Sequence, residues 1–334
     1  MTMKNRVYKA LVVEDAGNNV FTQQVKDTDV DALPSGDVIV QVKYSSLNYK
    51  DALSATGNKG VTREYPHTPG IDAAGLVVES ATDEVKEGEQ VIVSGYDLGM
   101  NTAGGFGQYI RVPADWVVKL PQGLSMKESM IFGTAGFAAG MSVDRIIDAV
   151  KPGDGEILVT GATGGVGSIA VAILSKLGYA VVAVSGKEDA KAFLTKLGAR
   201  NIISRKAFTE GSDRPLLRTR WAAVVDTVGG DILATAIKST IPRGLVTCCG
   251  NVSSPELPVT VFPFILRGVT LAGIDSQNCP MALRKRIWNR LAAEWKIAAL
   301  GEMYKEVALA SLPDEIEKIL KGQQKGRVVV NLDL

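Results

Sequence analysis

The sequence predicts an α/β protein in which a compact, partly closed β-barrel precedes a doubly wound parallel sheet. From residue 156 onward, apolar strands alternate with amphipathic helices, the pattern of a parallel sheet covered on both faces. Before residue 121, short β-branched runs are separated by many glycine and proline turns. A chain of 334 residues is also long for one hydrophobic core and sufficient for two domains.

The barrel prediction rests on short strands in the first third of the chain. Residues 38–42 alternate and are rich in β-branched side chains, residues 74–78 follow a Pro-Gly turn, and residues 90–93 follow a turn at Lys86-Glu87-Gly88. The last predicted strand, 326–332, is a lone strand at the end of the chain, and the segment around it cannot form a complete hydrophobic core. We therefore expect it to return to the barrel.

The chain changes character after residue 121, where two helices are predicted at 127–137 and 140–149. The predicted strands that follow are 157–160, 180–184, 201–203, 222–226, 244–249 and 270–274, with helices at 166–177, 187–197 and 231–241. Two further helices are predicted at 282–293 and 312–320. The predicted domains are a barrel at 1–128, completed by 279–334, and a parallel-sheet domain at 129–278.

Composition and charge exclude several classes of partner. Hydrophobic residues make up 46% and charged residues 22%, and the formal net charge is +1. Such a chain has no global field for nucleic acid or anionic lipid. Residues 1–13 lack the apolar segment of a signal peptide, and the longest apolar runs fall short of the roughly 20 residues of a membrane span. We expect a cytoplasmic protein with a small-molecule substrate and neither a nucleic-acid nor a membrane partner.

Few residues are available as metal ligands. The chain has Cys248, Cys249, Cys279 and a single histidine, His67, dispersed along its length. A structural zinc site needs four Cys or His ligands and a catalytic one about three, so we predict neither a zinc site nor a disulfide framework. His67 lies in a proline-rich loop, and a role as general acid is the disfavoured interpretation.

The most specific motif is a glycine-rich turn, Gly161-Ala162-Thr163-Gly164-Gly165-Val166-Gly167, between a predicted strand and a predicted helix. Small residues let the backbone approach a pyrophosphate, and the N–H groups of the helix start favour its charge. Thr163, Gly164, Gly165 and Val166 are the predicted pyrophosphate contacts, in the manner of a Rossmann fold. The alternative is a turn that merely permits tight packing.

The end of the next strand indicates which dinucleotide is bound. A site for NAD usually places a carboxylate there, whereas this strand ends in Ser185-Gly186-Lys187. A hydroxyl, a free backbone and a cation suit a 2′-phosphate, and Arg205 after the third strand adds a second cation. We therefore predict NADPH. The alternatives are that Lys187 is only solvated, or that the nearby Glu188 and Asp189 serve an NAD site.

Several segments together resemble a known family. They are the residues at 46–53 (Ser-Leu-Asn-Tyr-Lys-Asp-Ala-Leu), 69–75, 133–137, 226–230, 263–267 and 273–276. The chain resembles the quinone-oxidoreductase-like medium-chain dehydrogenases/reductases, within them the YhdH/YhfP branch that includes acrylyl-CoA reductases. The resemblance implies a GroES-like barrel as catalytic domain, a Rossmann domain, and a homodimer paired in part through residues 259–274. Zinc-dependent relatives carry a cysteine near Asn48 and Gly-His-Glu where this chain has Gly-Ile-Asp at 70–72, which implies chemistry without zinc.

The resemblance also implies site residues. The turn at 48–51 lines the nicotinamide and substrate, with Asn48 as a polar positioner, Tyr49 as a donor that relays a proton, and Asp51 as an orienter of the turn. For each, a merely hydrogen-bonded turn is the alternative, and water is the alternative source of the proton. Further implied coenzyme contacts are Tyr49, Thr134, Asn251, Ile265, Ser276 and Arg327. For Thr134, packing is an equal alternative.

The predicted function is zinc-independent, NADPH-dependent reduction of a carbon–carbon double bond conjugated to a carbonyl, in a quinone, an enone or a short enoyl-CoA such as acrylyl-CoA. The alternatives are a non-catalytic NADPH-binding protein of the crystallin kind and a zinc alcohol dehydrogenase. An acyl-CoA substrate would favour basic side chains for its phosphates. Candidates at helical spacing are Arg284, Lys285, Arg286 and Arg290, for which a solvated helix face is the preferred interpretation.

Overall fold

The computed structural model describes residues 5–334, so the first four residues of the segment searched for a signal peptide lie outside the described part. The chain divides into two compact units. The first, here the β-domain, comprises Met1–Thr134, Gln277–Ala292 and Leu300–Leu334, and the second, the α/β-domain, comprises Ala135–Ser276 and Ala293–Ala299. The predicted boundaries at 128/129 and 278/279 lie six and two residues from two of these divisions, whereas Ala293–Ala299, predicted within the barrel, belongs to the α/β-domain.

The described strands are β1 (Val7–Asp15), β2 (Phe21–Asp29), β3 (Val38–Ser46), β4 (Asp72–Ser80), β5 (Gln90–Ser94), β6 (Tyr109–Val112), β7 (Val117–Lys119), β8 (Glu156–Val159), β9 (Ala180–Ser185), β10 (Asn201–Ser204), β11 (Trp221–Asp226), β12 (Thr240–Cys248), β13 (Thr270–Gly273), β14 (Tyr304–Ala308) and β15 (Arg327–Asn331). The helices are α1 (Tyr49–Ala55), α2 (Met126–Ala149), α3 (Gly165–Lys176), α4 (Lys191–Lys196), α5 (Arg205–Thr209), α6 (Gly230–Lys238), α7 (Phe262–Arg267), α8 (Met281–Ala292) and α9 (Leu312–Leu320).

The β-domain is built on a seven-stranded sheet, in which six strands follow the order β14-β15-β3-β4-β5-β7 and the seventh, β6, pairs with β3. The strands β1 and β2 form a separate antiparallel hairpin. The final strand pairs antiparallel with β3, Val329 facing Ser46, which confirms that the end of the chain returns to this domain. Alternate residues of these strands, among them Leu11, Val40 and Val330, share one hydrophobic core.

The α/β-domain contains a six-stranded sheet in the order β10-β9-β8-β11-β12-β13, and every neighbouring pair is parallel. This is the doubly wound order in which the chain reverses direction between the first and fourth strands of the sheet. The predicted parallel sheet is therefore confirmed. The helix predicted at 187–197 is shorter, because a 3₁₀ turn at Glu188–Ala190 precedes α4.

The helix α2 differs from the prediction in where it breaks. Two helices were expected, with the break after residue 137, but Gly133 interrupts the run with φ 52° and ψ −159°. A positive φ of this kind is accessible to glycine at little cost. Among residues 5–334, only this helix has the length and composition to cross a membrane, and 83% of its most apolar stretch is buried within the protein, as in the core helix of a folded domain.

Candidate functional site

The predicted coenzyme contacts of the α/β-domain gather at one edge of its sheet. The parallel register aligns Val159 with Ala183, Ser185 with Ser204, and Asp226 with Cys248. The glycine-rich turn, Ser185 to Lys187, Arg205 and Asn251 all follow directly from strand ends, so they lie along the carboxyl edge of the sheet. Ligands of doubly wound sheets bind at this edge, where the strand order reverses.

The glycine-rich turn is packed too closely for larger residues. Gly161 has φ 57°, and a Cβ there would lie 2.2 Å from Thr227 Oγ1. A Cβ on Gly167 would lie 2.4 Å from the Gly161 carbonyl oxygen. Gly164 caps α3 without a side-chain hydrogen bond, so the helix start presents backbone N–H groups. The tight shape of the glycine-rich turn and the backbone N–H donors at the start of α3 suit a pyrophosphate.

A buried carboxylate, that of Asp226, bonds to the residue that precedes this turn. Asp226 is fully buried and accepts hydrogen bonds from Thr160 Oγ1 at 2.7 Å and from the Gly229 N–H at 2.8 Å. Burial raises the pKa of Asp226 above its ordinary value, against the lowering effect of these hydrogen bonds. The Thr227 hydroxyl donates to the Thr160 carbonyl at 3.0 Å, which ties the loop after β11 to the residue preceding the turn.

The predicted 2′-phosphate residues are brought together. A Cβ on Gly186 would lie 2.8 to 3.0 Å from three atoms of the Arg205 guanidinium, so the arginine covers this glycine. Arg205 is exposed and begins α5, which Ser204 caps. The Lys187 N–H donates to Ser185 Oγ at 3.0 Å, which fixes the turn after β9. An arginine over a bare backbone at this position provides planar donors for a phosphate.

Three other residues predicted to contact the coenzyme lie at exposed or half-buried positions. Asn251 is exposed, and its backbone lies beside Gly229, whose added Cβ would be 3.2 Å from the Asn251 Cα. Ser276 is half-buried and is the last residue of the long segment of the α/β-domain. Ile265 is 68% exposed on α7, beside Leu266 and Phe262. Their contact with the nicotinamide half stays a prediction.

In the β-domain, the turn at 48–51 forms the start of α1. Asn48 is the N-cap, and its backbone N–H donates to Asp51 Oδ2 at 2.8 Å, which makes a capping box with the Asn48 side chain. Asp51 Oδ1 accepts from the Ile71 N–H at 2.8 Å. Tyr49 is the first residue of α1 and is half-buried.

A buried polar cluster lies behind this turn, and its members are Ser46, Asn48, Asp51, Asp72, Thr134 and Arg327. The Asp72 carboxylate is fully buried and accepts from Ser46 Oγ at 2.6 Å and Asn48 Nδ2 at 2.7 Å. It also accepts from the Thr134 backbone N–H at 2.8 Å and hydroxyl at 2.7 Å. The Thr134 side chain therefore packs into the cluster, the alternative expected for it.

Arg327 supplies the cation of the buried polar cluster. Its guanidinium is 2% exposed and donates to the Ile131 and Leu47 carbonyl oxygens at 3.0 and 3.1 Å. It also donates to Asn48 Oδ1 at 3.2 Å and to Ser46 Oγ at 2.8 Å. Burial lowers the pKa of Arg327, and the carboxylates of Asp72 and Asp51 act against this. Arg327 thus holds the turn at 48–51 through its bonds to Leu47 and Asn48. A direct contact of Arg327 with the coenzyme stays a prediction.

The buried surroundings of Asp51 raise its pKa. Burial raises the pKa of Asp51 to about 7, the negative charge of Asp72 adds to this, and hydrogen bonds from Asn48 and Ile71 lower it. Asp51 has its oxygens turned to backbone N–H groups of the protein. These bonds hold the turn at 48–51, and the predicted role of Asp51 in orienting it for the reaction stays a prediction.

Sequence reasoning missed Asp72 and misjudged Arg284. Asp72 stands at the start of an apolar strand, and a buried carboxylate in such a run is itself a signal. Arg284 was expected on a solvated face or as a phosphate ligand, but it is fully buried. Its guanidinium donates to the Ser94 and Gln277 carbonyl oxygens at 2.8 and 3.0 Å, so both expectations for Arg284 were wrong. Lys285 and Arg286 are exposed, and Arg290 is half-buried.

The histidine bonds to β1, whereas Cys248 and Cys249 lie beside Asp226 at the carboxyl edge of the sheet. His67 is 8% exposed, exchanges backbone hydrogen bonds with Val13, and has its pKa lowered by burial. The three cysteines are free thiols. Burial raises the pKa of Cys248 and Cys249, which disfavours the reactive thiolate. In the part of the chain that the structure describes, no three His, Cys, Asp or Glu side chains form a group that could hold a metal ion.

Comparison with known proteins agrees with this geometry. The family model for the alcohol dehydrogenase GroES-like domain matches residues 34–122, and that for zinc-binding dehydrogenases matches residues 165–293. The acrylyl-CoA reductase AcuI of Ruegeria pomeroyi is 44% identical over 98% of this chain and 100% of its own length.

Solved structures agree as well. The Escherichia coli K-12 YhdH structure with bound NADPH has a TM-score of 0.94 and 44% identity, over 96% of this chain and 99% of the other. The Bacillus subtilis YhfP structure with NAD bound also has a TM-score of 0.94, with 42% identity, over 98% of this chain and 100% of the other. The predicted GroES-like and Rossmann fold is thereby confirmed, and the chain belongs to the quinone-oxidoreductase-like medium-chain dehydrogenases/reductases, in the branch of YhdH and YhfP.

Proposed function

We propose that this protein is an NADPH-dependent reductase of carbon–carbon double bonds conjugated to a carbonyl group. The observation that carries the coenzyme preference is the Arg205 guanidinium lying over Gly186, at the end of a strand that carries no carboxylate. A 2′-phosphate gains charge-assisted hydrogen bonds there, whereas an NAD site would need an acceptor for the ribose hydroxyl. The relatives crystallised with NADPH and with NAD show that the branch accommodates both coenzymes.

The coenzyme, when bound, supplies a hydride to the β-carbon of the substrate. The electron pair of the double bond moves onto the carbonyl oxygen as an enolate, and a proton at the α-carbon completes a saturated product. The chain's own residues then have two tasks, which are to hold the conjugated carbonyl and to deliver that proton.

Tyr49 is the proposed proton donor, because it is a half-buried phenol at the start of a turn in which Asn48 and Asp51 bond to the buried polar cluster. Asn48 and Asp51 are engaged within the buried polar cluster, so they position the turn. Replacing Tyr49 by Phe removes the donor and leaves the ring. We expect kcat to fall by roughly 10²-fold, the size of a general-acid contribution, with the Kd for NADPH unchanged. Full turnover in this variant would contradict the assignment.

We propose that the reaction needs no zinc. Asn48 and Ile71 stand where the resemblance places a cysteine and a histidine ligand, and neither an amide nor an aliphatic side chain binds zinc well. The neighbouring Asp72 carboxylate is already saturated by donors of the protein. Activity that survives exhaustive chelation, with a zinc content far below one per chain, is the expected result. Loss of activity on chelation and its return on adding zinc would contradict it.

The substrate test is NADPH oxidation with acrylyl-CoA, crotonyl-CoA, simple enones and benzoquinones. We favour the enoyl thioester, because the AcuI relative is an acrylyl-CoA reductase. Activity on quinones alone would support the quinone alternative. Saturable NADPH binding without turnover of any of these compounds would support the non-catalytic alternative.

We further propose a cytoplasmic homodimer. The helix α7 exposes Phe262, Ile265 and Leu266, at 42%, 68% and 65%, next to the edge strand β13. An exposed apolar face beside an unpaired strand edge is typical of an interface between copies. Light scattering of the purified protein tests this, and a monomer at micromolar concentration would contradict it.

A further inference from the structure

The catalytic turn has a second attachment, which involves none of the residues of the buried polar cluster. Lys50 lies between Tyr49 and Asp51, and its Nζ donates to Gln277 Oε1 at 2.6 Å, with Met100 Sδ at 3.8 Å. An ammonium bonded to a side-chain amide is a charge-assisted hydrogen bond, stronger than a neutral one. The first turn of α1 is therefore held by Lys50 as well as by its capping box.

Gln277 is itself firmly placed in the β-domain. Its carbonyl oxygen accepts from the Tyr96 N–H at 2.9 Å and from the Arg284 guanidinium at 3.0 Å. Arg284 is fully buried on α8 and donates to Ser94 as well. The backbone of Gln277 thus has two donors that do not depend on its side chain.

The donor Tyr96 is held in a rare backbone conformation. It has φ 51°, which is uncommon for a residue other than glycine. Its ring stacks on Trp116 with centroids 5.3 Å apart and planes 8° apart, and the Arg284 guanidinium lies 4.6 Å from its centre. Strain of this kind persists where the surroundings fix a residue from several sides, and it is concentrated at functional sites.

We propose that Gln277 is a positioning residue for the reaction, which acts through Lys50 to hold Tyr49 at the place where it delivers its proton. This inference rests on the proposed function, since it assigns Gln277 to the same catalytic turn. A small displacement of a reacting group has a large cost in rate. The side chain of Gln277 therefore contributes to kcat, although it bears no reacting atom.

The test compares Gln277→Ala, Gln277→Glu, Lys50→Met and the double variant Lys50→Met/Gln277→Ala. The alanine variant keeps the carbonyl that Tyr96 and Arg284 bind, so the fold is retained. We expect kcat to fall by roughly tenfold or more in Gln277→Ala and in Lys50→Met, with the Kd for NADPH within about twofold of the wild type. The double variant is expected to lose no more than either single one. Gln277→Glu keeps the acceptor and is expected to restore most of the rate.

The control is Gln108→Ala, since Gln108 also bridges the β-domain by donating to the Leu332 carbonyl oxygen at 3.0 Å and accepting from the Lys9 N–H at 2.9 Å. It is expected to lower thermal stability and leave kcat unchanged. A wild-type kcat in Gln277→Ala, additive losses in the double variant, or equal losses of kcat in Gln108→Ala would overturn the inference.

A second readout does not depend on turnover. Hydrogen exchange of the amides at 49–55 is expected to quicken in Gln277→Ala and to stay unchanged in Gln108→Ala. Unchanged exchange in both variants would overturn the inference even if the wild type is active. If the wild type turns over no conjugated substrate, the proposed function fails, while faster exchange would still show that Gln277 holds the turn.

Discussion

Replacing Arg327 by Met tests the buried polar cluster most severely. Methionine keeps the unbranched stem but removes a guanidinium that donates to four oxygens, those of Ile131, Leu47, Asn48 and Ser46. The carboxylate of Asp72, 4.0 Å away, then loses the nearest cation. Breaking a buried ion pair from one side costs about 3–5 kcal/mol, because the remaining charge is left uncompensated. We expect the β-domain to lose about 4 kcal/mol of unfolding free energy.

The assay is urea unfolding of the wild type, Arg327→Met, Asp72→Asn and the double variant, at pH 5 and pH 8. The loss in Arg327→Met is expected to be larger at pH 8, because the cluster then holds more negative charge. In the double variant the loss is expected to be smaller than the sum of the single losses by about 1 kcal/mol or more. The exposed Arg63→Met serves as control and is expected to change stability by less than about 0.5 kcal/mol. A loss below about 1 kcal/mol in Arg327→Met, or strict additivity in the double variant, would refute the reasoning.

Three further predictions concern the same sites. Gly133→Ala is expected to cost about 2 kcal/mol or more in thermal unfolding, because its φ is 52° and its Cβ would lie 2.4 Å from Ser46 Oγ. The pair Lys187→Ala/Arg205→Ala is expected to raise the KM for NADPH by about 10- to 100-fold in steady-state assays and to change that for NADH little. Asp51 has its pKa raised from 3.8 to about 7, so the folded protein keeps a proton that the unfolded chain releases between those values. Stability is therefore lost as pH rises from about 4 to 7, by up to about 1.4 kcal/mol per pH unit, and urea titrations are expected to show a flatter profile in Asp51→Asn.

Each of these predictions has a matched control and an outcome that would contradict it. Gly153 also has a positive φ, of 101°, but a Cβ there meets nothing within 4 Å, and Gly153→Ala is expected to cost less than Gly133→Ala. Equal costs would show that the buried polar cluster does not crowd Gly133. Lys206→Ala, next to Arg205, is expected to leave both KM values unchanged, and equal effects of the double change on NADPH and NADH would contradict the phosphate assignment. Parallel pH profiles for wild type and Asp51→Asn would contradict the raised pKa.

The parallel sheet was readable from the sequence, and the reason is physical. Strands buried on both faces must be continuously apolar, as in Ile157-Leu158-Val159, and they alternate with helices along the chain. The β1–β2 hairpin was not assigned, because every residue of β2 is half-buried or exposed and its polar side chains obscure the period of two.

The buried polar cluster could not be read in the same way. Asp72 and Arg327 are separated by most of the chain, and the pairing of both β4 and β15 with β3 brings them together. Arg284 looked like one of several surface cations on a helix, and only the packing of α8 shows that it is buried. Local motifs thus predicted a coenzyme site at one edge of the sheet, while the groups that hold the turn at 48–51 depend on contacts between distant segments.

The most direct test of the proposed function is to follow deuterium from [4-²H]NADPH into product, with acrylyl-CoA as acceptor and a chelator present. We expect one equivalent of NADPH to be consumed per saturated thioester formed, with the label at the β-carbon and a solvent-derived proton at the α-carbon. Saturable NADPH binding with no labelled product from any conjugated acceptor would contradict it.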